Sequence, residues 1–422
     1  MPPATVSPLR EAARAVKRAH LEGRLRRATG QQVKAANADL NWREFWHGRS
    51  ELRSRPRLMQ IGTNWTCNLK CNFCRLTLDS TQAWLKAKPP RELEISPRVL
   101  EEVMGLMPYP EMMTLTPLGE PLLYSKFGRM LERHAELGSD NLAMTSNLNL
   151  VNEDRARMIV EGGLSHVFVS VDSSDPDIYA SMRVRGTLDK VEAGLDNINT
   201  WKSRLGNENP SMTLASTFME RNVRQMPDLV DFALKHKFEV FSIQLMETEN
   251  EELEGEFLGH HIELAKEMVL KTLKRAEGTG LRVRVHLALR NLLTAHLSLP
   301  EWRRITAHTE GAAGEDVAGS HEPLNHAEGQ NDDIGKLSTH GKKLIDKCHY
   351  PWYFLVIDTD GDCRPCCWTG MSFGNLNDKG FDAIWNGEGA QGMRRDFLND
   401  HIPKVCQGKH CRVDLDHSGT ME

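Results

Sequence analysis

Thr66–Arg75 reads TCNLKCNFCR and sets Cys67, Cys71 and Cys74 at the spacing C-x3-C-x2-C. Three thiolates this close in sequence can each hold one iron of a cubane cluster, which leaves the fourth iron without a nearby cysteine. A structural zinc knuckle is the alternative, but such a site wants four protein ligands, and the next cysteine is Cys348. The spacing points to iron and sulfur with one coordination position open.

The run resembles the cluster-binding motif of the radical S-adenosylmethionine (SAM) enzymes. That resemblance implies a SAM-binding 4Fe-4S cluster whose open iron takes the amino and carboxylate groups of SAM. It also implies that Phe73, the aromatic residue before the third cysteine, lies beside the adenine.

Outward from this loop, from Arg57 on, short apolar runs alternate with helical stretches. The pattern predicts strands near Leu58 to Asn64, Met112 to Thr116, Asn141 to Thr145, His166 to Val171, Met212 to Phe218 and Val240 to Leu245. Helices are predicted over Pro97 to Met107, Lys126 to Leu137, Glu153 to Glu161, Leu188 to Lys202, Met226 to His236 and Ile262 to Ala276. Such alternation implies parallel strands joined by right-handed crossovers. The fold class is α/β, an open or partial (β/α)6 TIM barrel.

Ligands of parallel α/β sheets gather at the carboxyl ends of the strands, so the residues after each run carry weight. After the second strand, Pro117-Leu118-Gly119-Glu120-Pro121 resembles the family motif that binds the SAM amino group. Glycine admits close backbone approach, and a carboxylate accepts from an ammonium; the plain alternative is a turn. Thr145-Ser146-Asn147 stands where relatives often have threonine-asparagine-glycine, which makes Asn147 a cofactor-binding candidate, although Leu148 departs from the pattern. Val169-Ser170-Val171-Asp172, followed by Arg183 and Gly186, resembles the family's serine- and aspartate-containing strand and the arginine-glycine after it. Ser170 and Asp172 share a face by alternation. The resemblance puts Ser170 near the ribose or carboxylate of SAM and makes Arg183 available to its carboxylate, against a helix cap for Asp172 and a surface ion pair for Arg183. Gln244 points away from Ile243 and Leu245, toward a substrate or simply a satisfied strand end, while Met144, Met212 and Met246 read as core.

Residues 309–343 are rich in Gly, Ala, Glu, Asp, Asn and His and nearly devoid of large apolar side chains, the composition of a flexible linker. His308, His321, His326 and His340 are too irregularly spaced for a dedicated metal site. Beyond it come Cys348, Cys363, Cys366, Cys367, Cys406 and Cys411. Their surroundings, with Pro351-Trp352, Asp360-Gly361, Gly374-Asn375-Leu376, Ile384-Trp385-Asn386 and Arg394 as landmarks, resemble the SPASM or shorter twitch auxiliary-cluster domain; a zinc ribbon is the alternative. Six thiols cannot ligate two clusters fully, so one auxiliary 4Fe-4S cluster is expected. By resemblance its ligands are Cys348, Cys366, Cys406 and Cys411. Cys363 and Cys367 are buried small residues, ligands of a second incomplete cluster, or hydrogen-atom donors to a substrate radical.

The expected organisation is an N-terminal helical extension over 1–56, a radical SAM partial barrel over 57–308, the linker over 309–343, and a small cysteine-rich α+β auxiliary-cluster domain over 344–422. Leu9 to Leu25 in the basic extension suits an amphipathic helix that reads as an appended arm with a solvated face. It is too short for the peptide-recognition domain of many peptide-modifying relatives. A net charge of -5 over 422 residues argues against a general nucleic-acid binder. With no run of eighteen apolar residues and no secretory signal, no membrane partner and a cytoplasmic location are expected. Nine cysteines in metal-like clusters suit a reducing compartment, and sensitivity to oxygen follows.

The family resemblance implies SAM cleavage to a 5'-deoxyadenosyl radical, hydrogen-atom abstraction from substrate, and a low-potential donor such as flavodoxin or ferredoxin. One complete auxiliary cluster suits oxidation or epimerisation of a small polar substrate of sugar, aminosugar or cyclitol type. A peptide-modifying maturase of the ribosomal-peptide or sulfatase kind, and a non-catalytic electron-transfer or scaffold protein, are the other readings.

Overall fold

The computed structural model describes residues 30–116, 118–247, 249–307, 348–367 and 370–406. The expected helix over Leu9 to Leu25, the 309–343 segment with its histidines, Pro117 and Cys411 lie outside the described residues.

The six predicted strands all form, within a residue or two at most ends: β1 (Leu58–Ile61), β3 (Met112–Leu115), β4 (Leu142–Ser146), β5 (His166–Ser170), β7 (Ser211–Phe218) and β8 (Val240–Leu245). The first ends earlier than predicted, because Gly62 to Asn64 already belong to the turn into the cysteine loop. Two short strands outside this series, β2 (Lys70–Cys71) and β6 (Arg183–Val184), pair with each other in antiparallel register. The six predicted helices form as well, among them Pro97–Leu106, Phe127–Leu137, Leu188–Leu205 and Ile262–Ala276. Ser96 starts the first of these by accepting from the Val99 amide, a side-chain cap of the usual kind.

The sheet is larger than six strands. β9 (Arg282–Val285) adds in parallel beside β8, and β10 (Phe354–Ile357) adds in parallel beside β1. The antiparallel β11 (Asp362–Arg364) and β12 (Gly374–Asn375) then close that edge. An α/β partial barrel results, and the cysteine-rich domain continues its sheet. The sequence Arg-Val-Arg-Val hides β9, since its polar residues alternate as on an edge strand where buried parallel strands read as apolar runs.

One face of the sheet packs on the helices. Met59, Ile61, Met144, Val169, Leu214 and Ile243 are fully buried there together with Leu355 and Ile357 of β10. The opposite face lines the barrel lumen.

The N-terminal extension is not an appended arm where it is described. A helix over 30–46 buries Phe45 and Trp46, and Phe45 packs edge-on against Trp352 with centroids 5.6 Å apart. Asn41 Nδ2 donates to the Trp352 carbonyl at 2.7 Å. The connector that follows explains several of the sequence landmarks. Trp352 Nε1 donates to the Arg49 carbonyl at 2.7 Å, and Trp385 Nε1 to that of Ser54 at 2.9 Å. Asn386 pairs with both the amide and the carbonyl of Leu52.

Arg394 completes the clasp. Fully buried, it donates from Nε to the Pro351 carbonyl and from Nη1 to the Ser50 carbonyl, both at 2.9 Å, and lies 4.4 Å over the Trp385 ring. Burial pulls its guanidinium down to about 9, opposed by Glu44, so it stays protonated at neutral pH. Arg394→Met strands two buried carbonyls, and a loss of about 3 kcal/mol is expected, measured as a fall in chemical-denaturation midpoint.

Candidate active site

β1 delivers the chain to the cysteine loop through Asn64, which is fully buried. Its Nδ2 donates to the Thr66 carbonyl at 2.9 Å and the Glu120 carbonyl at 3.1 Å, tying the loop after β3 to the start of the cysteine loop. Gly119 makes that approach feasible: a Cβ there would stand 2.2 Å from the Thr66 carbonyl oxygen. In this chain the glycine serves close contact between two protein backbones.

The cysteine loop is held from both sides. β2 sets Cys71 opposite Arg183 of β6. Thr77 Oγ1 donates to the carbonyls of Cys71 at 2.9 Å and Cys74 at 2.7 Å. The Leu69 amide donates to Cys67 Sγ at 3.4 Å, a contact that stabilises a thiolate. All three cysteines are partly buried. Burial pushes Cys67 up to about 11, and Cys71 up to about 12 against the pull of Arg183, so loading of metal must displace protons. Among the described residues no three Cys, His, Asp or Glu side chains are grouped so as to hold one metal ion; a cubane, each iron taking one thiolate, does not need the sulfurs to converge on a point.

Glu120 is buried, and its carboxylate accepts from Ser146 Oγ at 2.7 Å and from the Asn147 amide at 3.0 Å. Burial raises its pKa, against the pull of these two bonds and of the Leu122 amide. Asn147 reaches back to the cysteine loop, its Nδ2 3.0 Å from Asn68 Oδ1 and 4.0 Å from Cys67 Sγ. Leu148 occupies the position of the pattern's glycine and takes φ 53, a left-handed conformation that costs a branched residue roughly 1–2 kcal/mol. The backbone turn is kept although the glycine is not.

Ser170 ends β5 on the lumen face, half-buried. Asp172 is fully buried and bonds Arg183 Nε at 2.6 Å, so the two form a buried pair. The cap of the next helix falls to Asp175. Phe73 packs with Met182, Met219, Met246, Leu253 and Ile178 in a cluster separate from the main core. Met246 is core as expected, in this smaller cluster that also walls the site, while Met144 and Met212 lie in the main core.

At the other edge, Cys348 packs partly buried against the main core, Cys366 joins Leu58, Phe354 and Val356 on the opposite sheet face, and Cys406 is buried in the turn Lys404–Cys406. Cys366 and Cys367 both follow the end of β11 and lie outside any strand. Cys367 is exposed. Cys363 sits in β11 opposite Ile357 and is fully buried in the helix-side core. Of its three readings this position fits the buried small residue, with the sulfur on the sheet face turned away from the lumen.

Residues 66–200 match the family model of the radical SAM superfamily, and residues 348–412 match that of the SPASM iron-sulfur cluster-binding domain. The GTP 3',8-cyclase 1 of Pseudomonas aeruginosa is 35% identical over 131 residues, 30% of this chain and 37% of that protein. The probable GTP 3',8-cyclase of Thermoplasma volcanium is 25% identical over 228 residues, 53% of this chain and 66% of that protein. The chain thus spans between about a third and two thirds of the curated relatives it matches. Among solved structures, Streptococcus suis SuiB bound to its precursor peptide SuiA aligns with a TM-score of 0.54 at 15% identity, over 85% of this chain and 72% of that one. Native anSMEcpe with bound AdoMet aligns at 0.53 and 15%, over 85% and 88%. At these identities the likeness is one of fold. The motif and both family matches agree that the chain carries a radical SAM domain and a SPASM domain.

Proposed function

We propose that this radical SAM enzyme oxidises or epimerises a small polar substrate held in the barrel lumen. The radical SAM domain implies a 4Fe-4S cluster and SAM, and the SPASM domain an auxiliary iron-sulfur cluster. When bound, the first cluster and SAM supply a 5'-deoxyadenosyl radical that takes a hydrogen atom from carbon. We assign Cys67, Cys71 and Cys74 to that cluster, and Cys348, Cys366, Cys406 and Cys411 to the auxiliary one.

The remaining work falls to residues that bind and orient. Asn147 and Glu120, joined to each other and through Asn64 and Asn68 to the cysteine loop, form a rigid wall that would hold SAM. Phe73 and its methionine neighbours give that wall an apolar side and exclude water.

The observation that carries the substrate class is the lumen's lining. Gln60, Thr145, Ser170, Thr217 and Gln244 are half-buried on the lumen face, each beside a fully buried residue that faces the helices, and the half-buried Phe168, paired with Thr145 in register, adds an apolar side chain to that face. Thr217 and Gln244 are direct neighbours in register. Ligand sites are mostly apolar with a few polar groups, so a row of neutral hydrogen-bonding side chains suits a ligand rich in hydroxyl or amino groups.

Anaerobic reconstitution with SAM and dithionite, offered deuterated cyclitols, aminosugars, GTP and peptides in turn, tests this reading. Deuterium is expected in 5'-deoxyadenosine from a polyhydroxylated substrate, and transfer only from peptides would overturn the choice. For the substrate so found, Gln244→Ala should raise KM roughly threefold to tenfold, the value of one neutral hydrogen bond, read from initial rates.

A further inference from the structure

Arg183 occupies an uncommon position for a guanidinium. It lies in β6 directly opposite Cys71 and is 8% exposed. One side of it is spent on Asp172, at 2.6 Å from Nε. On another side Nη1 faces Cys71 Sγ from 4.0 Å, and the group lies 5.6 Å from the centre of the Phe73 ring. Asp172 cannot swing away, since its second oxygen accepts from the Thr217 amide at 2.8 Å and its carbonyl from Asn222 Nδ2 at 2.8 Å. A fixed positive charge therefore stands beside one of the three proposed cluster ligands, with its counter-charge bonded at Nε and acting more weakly on Cys71.

Charge and hydrogen bonding at the sulfurs, together with exposure to solvent, set the potential of an iron-sulfur cluster. On reduction the cluster takes one electron from an external low-potential reductant; no bond forms or breaks, and its negative charge, shared with the sulfurs, rises by one. A cation beside Cys71 Sγ favours that state, and an anion farther off opposes it more weakly.

We propose that Arg183, held in place by Asp172, raises the reduction potential of the cluster on Cys67, Cys71 and Cys74 and so governs how readily the enzyme accepts its electron. The inference rests on the assignment of that cluster made above. It differs from the expectation that Arg183 serves the SAM carboxylate, because the effect exists before SAM binds.

The test is an EPR-monitored redox titration of reconstituted holoenzyme without SAM, following the cluster whose signal changes when SAM is later added. At a fixed potential Arg183→Gln should lower the reduced-to-oxidised ratio about tenfold, about 59 mV for one electron. Arg183→Lys should fall between it and the native protein. Asp172→Asn should move the ratio the other way, a reversal of sign that general loosening of the site would not produce and that still decides the matter if Arg183→Gln fails to fold. Unchanged SAM-free potentials, with only SAM affinity weakened, would overturn the proposal and leave the cluster assignment intact. A native protein that assembles no SAM-responsive cluster would instead bring down the assignment, and the proposal with it.

Discussion

Replacing Cys71 with alanine should reduce SAM cleavage to the uncatalysed background and remove about four of about eight iron atoms per reconstituted chain. The expectation follows from how little else the substitution disturbs. Residue 71 is held by main-chain pairing with β6, and Thr77 bonds the carbonyls at 71 and 74; alanine keeps all of these. The thermal midpoint of the metal-free protein should barely move, so lost activity reports a lost ligand and not a lost fold. With one thiolate gone, the loop offers two ligands where a cubane with an open corner needs three. The cysteines assigned to the auxiliary cluster all lie outside this loop, so its iron should remain. Iron and sulfide analysis with chromatography for 5'-deoxyadenosine provides the measurement. Undiminished 5'-deoxyadenosine from Cys71→Ala would refute the ligand assignment.

The parts of this molecule that were legible in the sequence are those encoded by short-range spacing. Short apolar runs and helices of ordinary length located six strands and their crossovers, because burial on both faces of a parallel sheet leaves a local signature. Cys67, Cys71 and Cys74 announced themselves for the same reason. What was not legible depends on which distant segments meet. Nothing near Phe354 says that β10 pairs with β1 some three hundred residues earlier. Arg183 read as a SAM ligand or a surface ion pair, and only its register opposite Cys71 makes it the cysteine loop's neighbour. Asn64 and Thr77 were missed because buried polar clamps carry no periodicity; an asparagine at a strand end beside a cysteine motif is the faint signal that could have found the first. The tryptophans and Arg394 of the C-terminal domain were recognised by resemblance, but their physical task, to satisfy the carbonyls of residues 49 to 54, required the fold.

Gly119 offers the sharpest separation of geometry from chemistry, since it bears no reactive group yet controls where the reactive ones stand. An added methyl would sit 2.2 Å from the Thr66 carbonyl oxygen, 2.8 Å from the Thr66 amide and 2.9 Å from Asn64 Nδ2. Two of these three atoms are backbone, so no rotamer change relieves the overlap and one of the two loops must move by about 1 Å to restore ordinary contact. The movement breaks the Glu120 amide's 2.7 Å bond to the Thr66 carbonyl and loosens Asn64, which bonds both loops. Overpacking of this kind costs about 1–3 kcal/mol, and a misplacement of about 1 Å beside reacting groups costs about a hundredfold in rate. Gly119→Ala is therefore expected to lower 5'-deoxyadenosine formation about a hundredfold while iron content falls far less, because the three cysteines remain. Gly105→Ala is the matched control: it lies in the helix Pro97–Leu106 with nothing within 4 Å of its added Cβ, and should stabilise the fold by about 0.5–1 kcal/mol. Native-like rates in Gly119→Ala would mean that the loop after β3 does not position the cysteine loop, and that Glu120 and Asn147 act, if at all, independently of it.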